Sequence, residues 1–492
     1  MIMPAFYTLA IDQGTHSTRA VVFDETGHII AQEAMNVSLH TFGSDKVEQD
    51  AEEILASMMS VIQSVLDHSD VDPALIKQAG LAVQRSSMVA WNRHTGEALS
   101  SVLSWQDQRS AAWSLQFTEE ALAIRRRTGL RLSPYYGAGK MHWLLSNNPD
   151  VNRARQADSL IIGPLASYLL YHLLETREAV VDEVNASRTL LWNLYERQWD
   201  PWLFELFGLD KSLLPQCLPV CSEYGYLRDY HIPLTAVNGD QSAAIYANGN
   251  PDPNKLVINI GTGAFVLLPL PEKAIRDLPE TYPLLKGISM SGATYAEYFL
   301  EGTINGAGSA LSWIKQQKAI DVDDDVLSGW FESVKASPMF VNTVGGLGTP
   351  WCWTGPEPAF LDRSIEDIAP SSAFISVIES IVFLVQLNID LFKGVNADIN
   401  GIMLSGGVSS MDGLCQRLAN LSGYRVFRSD DMEATARGIA WQSANCPNIW
   451  QAAAGKYFEP EQDDLLRNRY EHFRQVMSQL ADHNLPGTKT ED

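Results

Sequence analysis

Cysteine is scarce in this sequence, with five in 492 residues. Cys217 and Cys221 are closely spaced, but no second pair matches them. The spacing suggests neither a zinc site nor a disulfide framework, and reduced thiols in a cytosolic protein are the favoured reading. Positive charge is short as well. The 36 Lys and Arg stand against 59 Asp and Glu, a net −23, which argues against a polyanion partner such as nucleic acid. A nucleotide held at a local site remains compatible with that balance. The opening residues, MIMPAFYTLAID, lack the basic stretch of a secretory signal. An uninterrupted hydrophobic run is missing too. The most apolar long stretch, FISVIESIVFLVQLNIDLF at 374–392, carries Glu379, Gln386 and Asp390. Val377, Ile378, Ile381, Leu384 and Val385 recur at helical spacing, so a buried core helix is expected rather than a membrane span, in a soluble protein. What remains is an ordinary globular composition, 46% hydrophobic and 19% charged. The length suits roughly three domains of average size or two large ones.

The segment LAIDQGTHSTRAVVFDETGHII at 9–30 reads as two apolar strands, Leu9 to Ile11 and Ala20 to Phe23, broken by a polar turn. Glu25-Thr26-Gly27 is a second turn signal. Gly14 lets the backbone approach a ligand, while Thr15, His16 and Ser17 add hydrogen-bonding groups. Arg19 adds a charge shaped for phosphate oxygens. A carboxylate in such a loop repels bare phosphate, but makes sense if Asp12 holds a hydrated Mg²⁺ that accompanies it. An ordinary hairpin with polar dressing is the alternative.

LVINIGTGAFVLL at 256–268 repeats the pattern of strand, Gly-Thr turn and strand, and GIMLSGGVSS at 401–410 gives a third strand running into glycines. The segment after it reads as a helix with Leu414, Leu418 and Leu421 on one face and Gly423 at its end. The first two hairpins resemble one another, which suggests two related halves, each turning one hairpin toward phosphate. An interface between such halves makes a concave, closable nucleotide site.

Candidates for chemistry lie in the first half. LAVQRSSMVAWNRHTGEALSSVLSWQDQRS at 81–110 offers a strand with Arg85, a His-Thr-Gly turn, and Trp105. RLSPYYGAGKMHWLL at 131–145 places Tyr135 just before a helix start, and TAVNGDQSAAIY at 235–246 places Asp240 after a short strand and a glycine. At a helix N-terminus the macrodipole favours the ionised acid, and an ionised Asp facing a hydroxyl suits a general base for phosphoryl transfer. Arg85 with the edges of Trp105 and Tyr135 suits a polyhydroxylated substrate. Core packing and helix capping are the competing readings of these residues.

Taken in order, IDQGTHSTRAVVFD, Gln84-Arg85, WQDQRS, LSPYYGAGKMHWLL, VDEVNASRTLLWN, NGDQSAA, NIGTGAF, LEGTINGAGSALSWI, GGLGTPW and LSGG resemble the FGGY carbohydrate kinases, and within them the glycerol kinase branch. The resemblance runs over nearly the whole length, including a closing helix near YFEPEQDDLLRNRYEHFRQVM. It implies an α/β fold of two actin-like (ribonuclease H-like) ATPase domains with the nucleotide in the cleft between them. The expected boundaries are 1–243, with the acceptor site and first phosphate loop, and 244–448, with the second phosphate turn and adenosine site. A helical tail follows over 449–492, with its last residues disordered.

The resemblance further implies transfer of the ATP γ-phosphate to a hydroxyl of glycerol or a related short polyol or sugar in the cytoplasm. ATP and Mg²⁺ are the implied cofactors. Asp12 lies near the metal, and Thr15, His16, Ser17, Arg19, Thr262 and Gly263 surround the phosphates. Gly308, Ser312, Gly407 and Met411 fall on the nucleoside side. Arg85, Ser86, Trp105, Tyr135, Asp240, Gln241 and Phe265 line the acceptor, with Asp240 as base. Domain closure and an oligomer are family-level expectations. Departures accompany the likeness. Ser86 stands where glycerol kinases usually carry Glu, and Ser312 and Met411 replace Gln and Asn near the adenine. Gly137 replaces the Ser of the pattern Tyr-x-Ser-x-x-Lys. A kinase for a ketose such as a pentulose therefore stays open, as does an ATP-binding regulatory protein with degenerate catalysis.

Overall fold

The computed structural model describes residues 6–482 apart from 44, 69–70, 322–323, 335–336, 354, 362, 431–432 and 451–452. The expectation of a disordered end falls on residues 483–492, outside the described ones.

Two mixed sheets are each built on a hairpin, as the repeated strand–Gly–strand pattern predicts. The first contains β1 (Tyr7–Gln13), β2 (Ser17–Phe23), β3 (Ile29–Asn36), β4 (Ile76–Val83), β5 (Cys221–Leu227) and β6 (Ile232–Gly239), in the order β5-β6-β4-β1-β2-β3. The second contains β7 (Lys255–Ile260), β8 (Ala264–Leu270), β9 (Leu285–Ser291), β10 (Ala296–Ile304), β11 (Gly401–Ser405), β12 (Arg425–Ser429) and β13 (Gly455–Phe458), ordered β9-β10-β8-β7-β11-β12-β13. In each, the first hairpin strand pairs antiparallel with its successor and parallel with a much later strand: β1 with β2 and β4, β7 with β8 and β11. Six strands thus share one order and pairing in both sheets, the second adding β9 at one edge, and each sheet buries its own apolar core.

The apolar stretch forms one helix, Pro370–Lys393, whose most apolar window is 94% buried inside the protein. Glu379, Gln386 and Asp390 each find a side-chain partner, although the Gln386 carbonyl oxygen stays buried without one among the described residues. Glu379 accepts from Arg469 at 2.6 Å, Gln386 donates to Asp390 at 2.8 Å, and Asp390 accepts from the Tyr470 hydroxyl. Arg469 and Tyr470 lie on the closing helix, Asp464–Asp482, and the strand before it, β13, pairs with β12. The helix Asp412–Ser422 ends at Gly423 with φ +74°, burying Leu414 and Leu418 and leaving Leu421 half-buried.

One late element returns to the first half. The helix Ala434–Ser443 packs on β1, β4 and β6 and on the short helix Asp240–Ala244. Small side chains, Ala10, Ala82, Ala236, Ala243, Ala436 and Ala440, form this seam. Gly438 allows the closest approach, because a methyl there would run into the carbonyl of Ala243. Gly438→Ala should therefore cost about 1–3 kcal/mol by overpacking. Urea unfolding checks this, and an unchanged midpoint would contradict the packing.

Candidate active site

Both hairpin turns open onto one cavity of about 350 Å³. The first turn is tight: Gly14 N–H donates to the Ser17 carbonyl at 2.9 Å. A buried amide chain steadies it from below. Gln84 donates to Gln13 at 3.1 Å and to Gln49 at 2.8 Å, and Gln49 donates to the Thr15 carbonyl at 2.9 Å. Asp12, Thr15, His16, Ser17 and Arg19 from this hairpin line the cavity, as do Thr262, Gly263 and Phe265 from the second. Arg85, Ser86, Trp105, Tyr135, Asp240 and Gln241, expected around the acceptor, line it as well. Arg85 lies beyond the strand expected to carry it: β4 ends at Val83, and the turn that follows puts Ser86 at φ +67°.

The remaining four expected residues do not line this cavity. Gly308 N–H donates to the Gly261 carbonyl at 2.9 Å, behind the second turn. The exposed Ser312 hydroxyl turns back to the Gly308 carbonyl at 3.0 Å. Gly407 faces open space, and Met411 packs against the second core.

The cavity floor is an ion cluster that the sequence did not announce. Glu301, on β10, accepts Arg188 through both oxygens at 2.9 Å, and Arg85 Nη1 at 2.7 Å. All three side chains are buried. Burial alone would raise the Glu301 carboxyl, but Arg188 and then Arg85 outweigh it and hold the pKa below its ordinary value. Arg85 also brings Nε to 3.7 Å from Asp240 and its guanidinium carbon to 5.4 Å from the Phe265 ring centre. Gly239 makes room for the Arg85 stem, since a Cβ there would overlap Arg85 Cγ and Cδ. A charge flanked by Leu300 and Gly302 on an inward strand was the available signal for Glu301. Its partners lie 113 and 216 residues away.

Asp240 opens its helix as expected, but that helix has only five residues. Burial dominates over any dipole, and the Asp240 pKa is raised. Arg85 and hydrogen bonds from Gln241 pull it back only in part. This corrects the expectation that the helix end sets its ionisation, and a raised pKa suits proton acceptance better. Asp12 is pushed up to about 7, chiefly by burial. Arg19, at 3.8 Å, opposes the shift, while Asp240 and Glu433 add to it. Arg19 also lies 3.4 Å from Glu433.

The walls are tied across the cavity. Trp105 Nε1 donates to the Thr15 hydroxyl at 3.0 Å, linking wall to first turn. Tyr135 donates its phenol to the Gly345 carbonyl at 3.2 Å, joining the two halves. Buried Lys140 donates to the carbonyls of Ser86 at 2.9 Å and Tyr135 at 2.7 Å, fixing both segments at once.

Models of the FGGY family of carbohydrate kinases match the chain twice, its N-terminal domain over residues 7–244 and its C-terminal domain over residues 256–444. The glycerol kinase of Agrobacterium fabrum is 31% identical over 457 residues, covering 90% of each chain. That of Halorhodospira halophila is 30% identical over 482 residues, covering 94% of each. Among solved structures, Plasmodium falciparum glycerol kinase with ADP has a TM-score of 0.81 at 24% identity, covering 96% of this chain and 98% of that one. Ligand-bound xylulose kinase from Lactobacillus acidophilus has a TM-score of 0.80 at 18% identity, with the same coverage. The shared architecture is the expected pair of actin-like ATPase domains.

The raised Asp12 pKa has a stability consequence. Between its ordinary 3.8 and about 7, the native state binds the proton more tightly than the unfolded chain. The associated stability is present in full below about pH 4 and is lost as pH rises through 7. Asp12→Asn should stabilise the ligand-free protein at pH 8 by up to about 4 kcal/mol. It should also flatten the decline in melting temperature between pH 5 and 8. Scanning calorimetry decides, and an unchanged pH profile would contradict the shift.

Proposed function

The chain belongs to the FGGY family of carbohydrate kinases, phosphotransferases with an alcohol group as acceptor, and from that premise we propose an ATP-dependent kinase for glycerol or a related short polyol or sugar. The observation that carries this reading is the meeting of Asp240 and Arg85 with both hairpin turns around one cavity. In the proposed arrangement, the turns at Thr15 and Thr262 receive the ATP phosphates, with Arg19 against their oxygens. The nucleoside lies beyond the cavity, toward Gly308, Ser312, Gly407 and Met411.

Asp12, shielded near the end of β1 and with its pKa raised chiefly by burial and further by Asp240 and Glu433, suits Mg²⁺. That ion takes one or two protein carboxylates and completes its shell with water and phosphate oxygens. Bound there, it would neutralise charge on the transferring phosphoryl group. Arg85, Trp105, Tyr135 and Gln241 hold the polyol, and Phe265 backs its carbons. Asp240 accepts the proton of the attacking hydroxyl as the new O–P bond forms and the bond to ADP breaks. Dependence on ATP places the reaction in the cytoplasm.

Ser86, short and buried in its turn, favours a second reading in which a longer ketose such as a pentulose is the acceptor. Activity with glycerol, erythritol, xylulose and ribulose separates the two. ATP hydrolysis indifferent to every acceptor would support the regulatory alternative. Asp240→Asn should lower kcat by about 10²–10⁴-fold while ATP affinity stays within about threefold by calorimetry. A variant turning over at near the normal rate would remove Asp240 from the role of base.

A further inference from the structure

Among the described residues, Arg131 is the cavity-lining arginine without an ion-pair partner. Among the other lining arginines, Arg19 faces Asp12 and Glu433, while Arg85 and Arg188 share Glu301, with Asp240 beside Arg85. No described carboxylate forms an ion pair with Arg131, although it lines the same cavity. Among the described residues its one hydrogen bond runs from Nη1 to the Trp351 carbonyl at 3.5 Å, the outer limit for such a contact. Its Nε is shielded from solvent and has no partner. Nearby Arg125 is committed elsewhere, to the carbonyls of Tyr282 and Leu284.

The position of Arg131 fixes which end of the cavity it serves. It opens the segment that continues through Ser133 to Tyr135, and Lys140 binds that segment to the turn carrying Ser86. Ser86, Ser133, Tyr135 and Tyr136 line the same cavity. Both phenols have pKa values pushed up to about 12 by burial, so these walls are neutral at pH 7. Arg131 therefore lines the cavity just ahead of the Tyr135 segment, with no ion-pair partner among the described residues.

We infer that the acceptor is a polyhydroxy carboxylic acid, its carboxylate received by Arg131 while a hydroxyl faces Asp240. The inference rests on the reading of this cavity as the kinase acceptor site and replaces the neutral polyol or sugar of that reading with the corresponding acid. One planar guanidinium matches one carboxylate, with two parallel N–H donors for two oxygens. A phosphate dianion would call for more than one unpaired guanidinium. A neutral polyol would leave Arg131 unpaired at the edge of a site that closes against water, which is unfavourable.

The test compares acids with alditols of equal carbon number under Mg·ATP: glycerate with glycerol, erythronate with erythritol, arabinonate with arabinitol, gluconate with glucitol. At least one acid should exceed its alditol by about tenfold or more in kcat/KM, the scale of a charged hydrogen bond. Arg131→Ala should collapse that ratio, and Arg131→Lys should restore part of it. A merely structural role would not move the ratio in this way. Alditols preferred throughout, or a ratio indifferent to Arg131, would overturn the inference. If Asp240→Asn still abolished transfer in that case, the kinase reading would stand without it. If no compound of either series turned over, calorimetric titration of the four acids into wild type and Arg131→Ala would decide. Failure of every acid to bind wild type more tightly than the variant would overturn the inference.

Discussion

The cluster of Arg85, Arg188 and Glu301 is the interaction on which the rest of the site depends. Two guanidiniums come from the first half of the chain and the carboxylate from the second, and all three are buried. Removing such charges from water costs several kcal/mol per ion, and only complete pairing offsets the loss. Here Glu301 accepts three close donors. The Glu301 carboxylate therefore finds its partners only when both halves are docked in this register, with Arg188 Nε the one cluster donor left without a partner among the described residues. Arg85 is left with Nε toward Asp240, so the group proposed to orient the acceptor is itself held from across the domain interface.

The same interface sets the electrostatics of the two aspartates. The helix Ala434–Ser443 returns from the second half to lie on the first sheet, and its approach at Gly438 closes over Ala243. That packing shields the ends of β1 and β6, where Asp12 and Asp240 stand. Each aspartate is raised chiefly by burial, and each by a nearby acid: Asp240 and Glu433 for Asp12, Glu301 for Asp240. A site built this way disfavours its own negative charge until cationic chemistry arrives. Dryness also strengthens the interactions that form once the cleft is filled.

The hairpins were legible because their pattern is local. β-branched residues, a Gly-Thr break and a second apolar run sit within a few positions of each other, at 9–23 and at 256–268. The core helix at Pro370–Lys393 was legible from its period, and its polar residues became intelligible only with Arg469 and Tyr470 in place. Asp240 was singled out because it follows a strand and a glycine, and Arg85 because it was read as part of a strand leading to a turn, although that strand ends at Val83. Glu301, Arg188 and Arg131 were not singled out, since their meaning lies in partners far along the chain or in the lack of one. The ionisation of Asp240 was misjudged for a related reason: a helix start is readable from sequence, whereas its length and surrounding burial are tertiary facts.

The most direct measurement is denaturant unfolding of Glu301→Gln beside wild type, with kcat/KM taken on the same preparations. We expect a stability loss of about 3–5 kcal/mol, because two buried arginines lose their counter-charge. Loss of the Arg85 geometry should lower kcat/KM by about 10²-fold in the protein that remains folded. Stability and kcat/KM both equal to wild type would contradict the claim that this cluster joins the halves and sets the acceptor site.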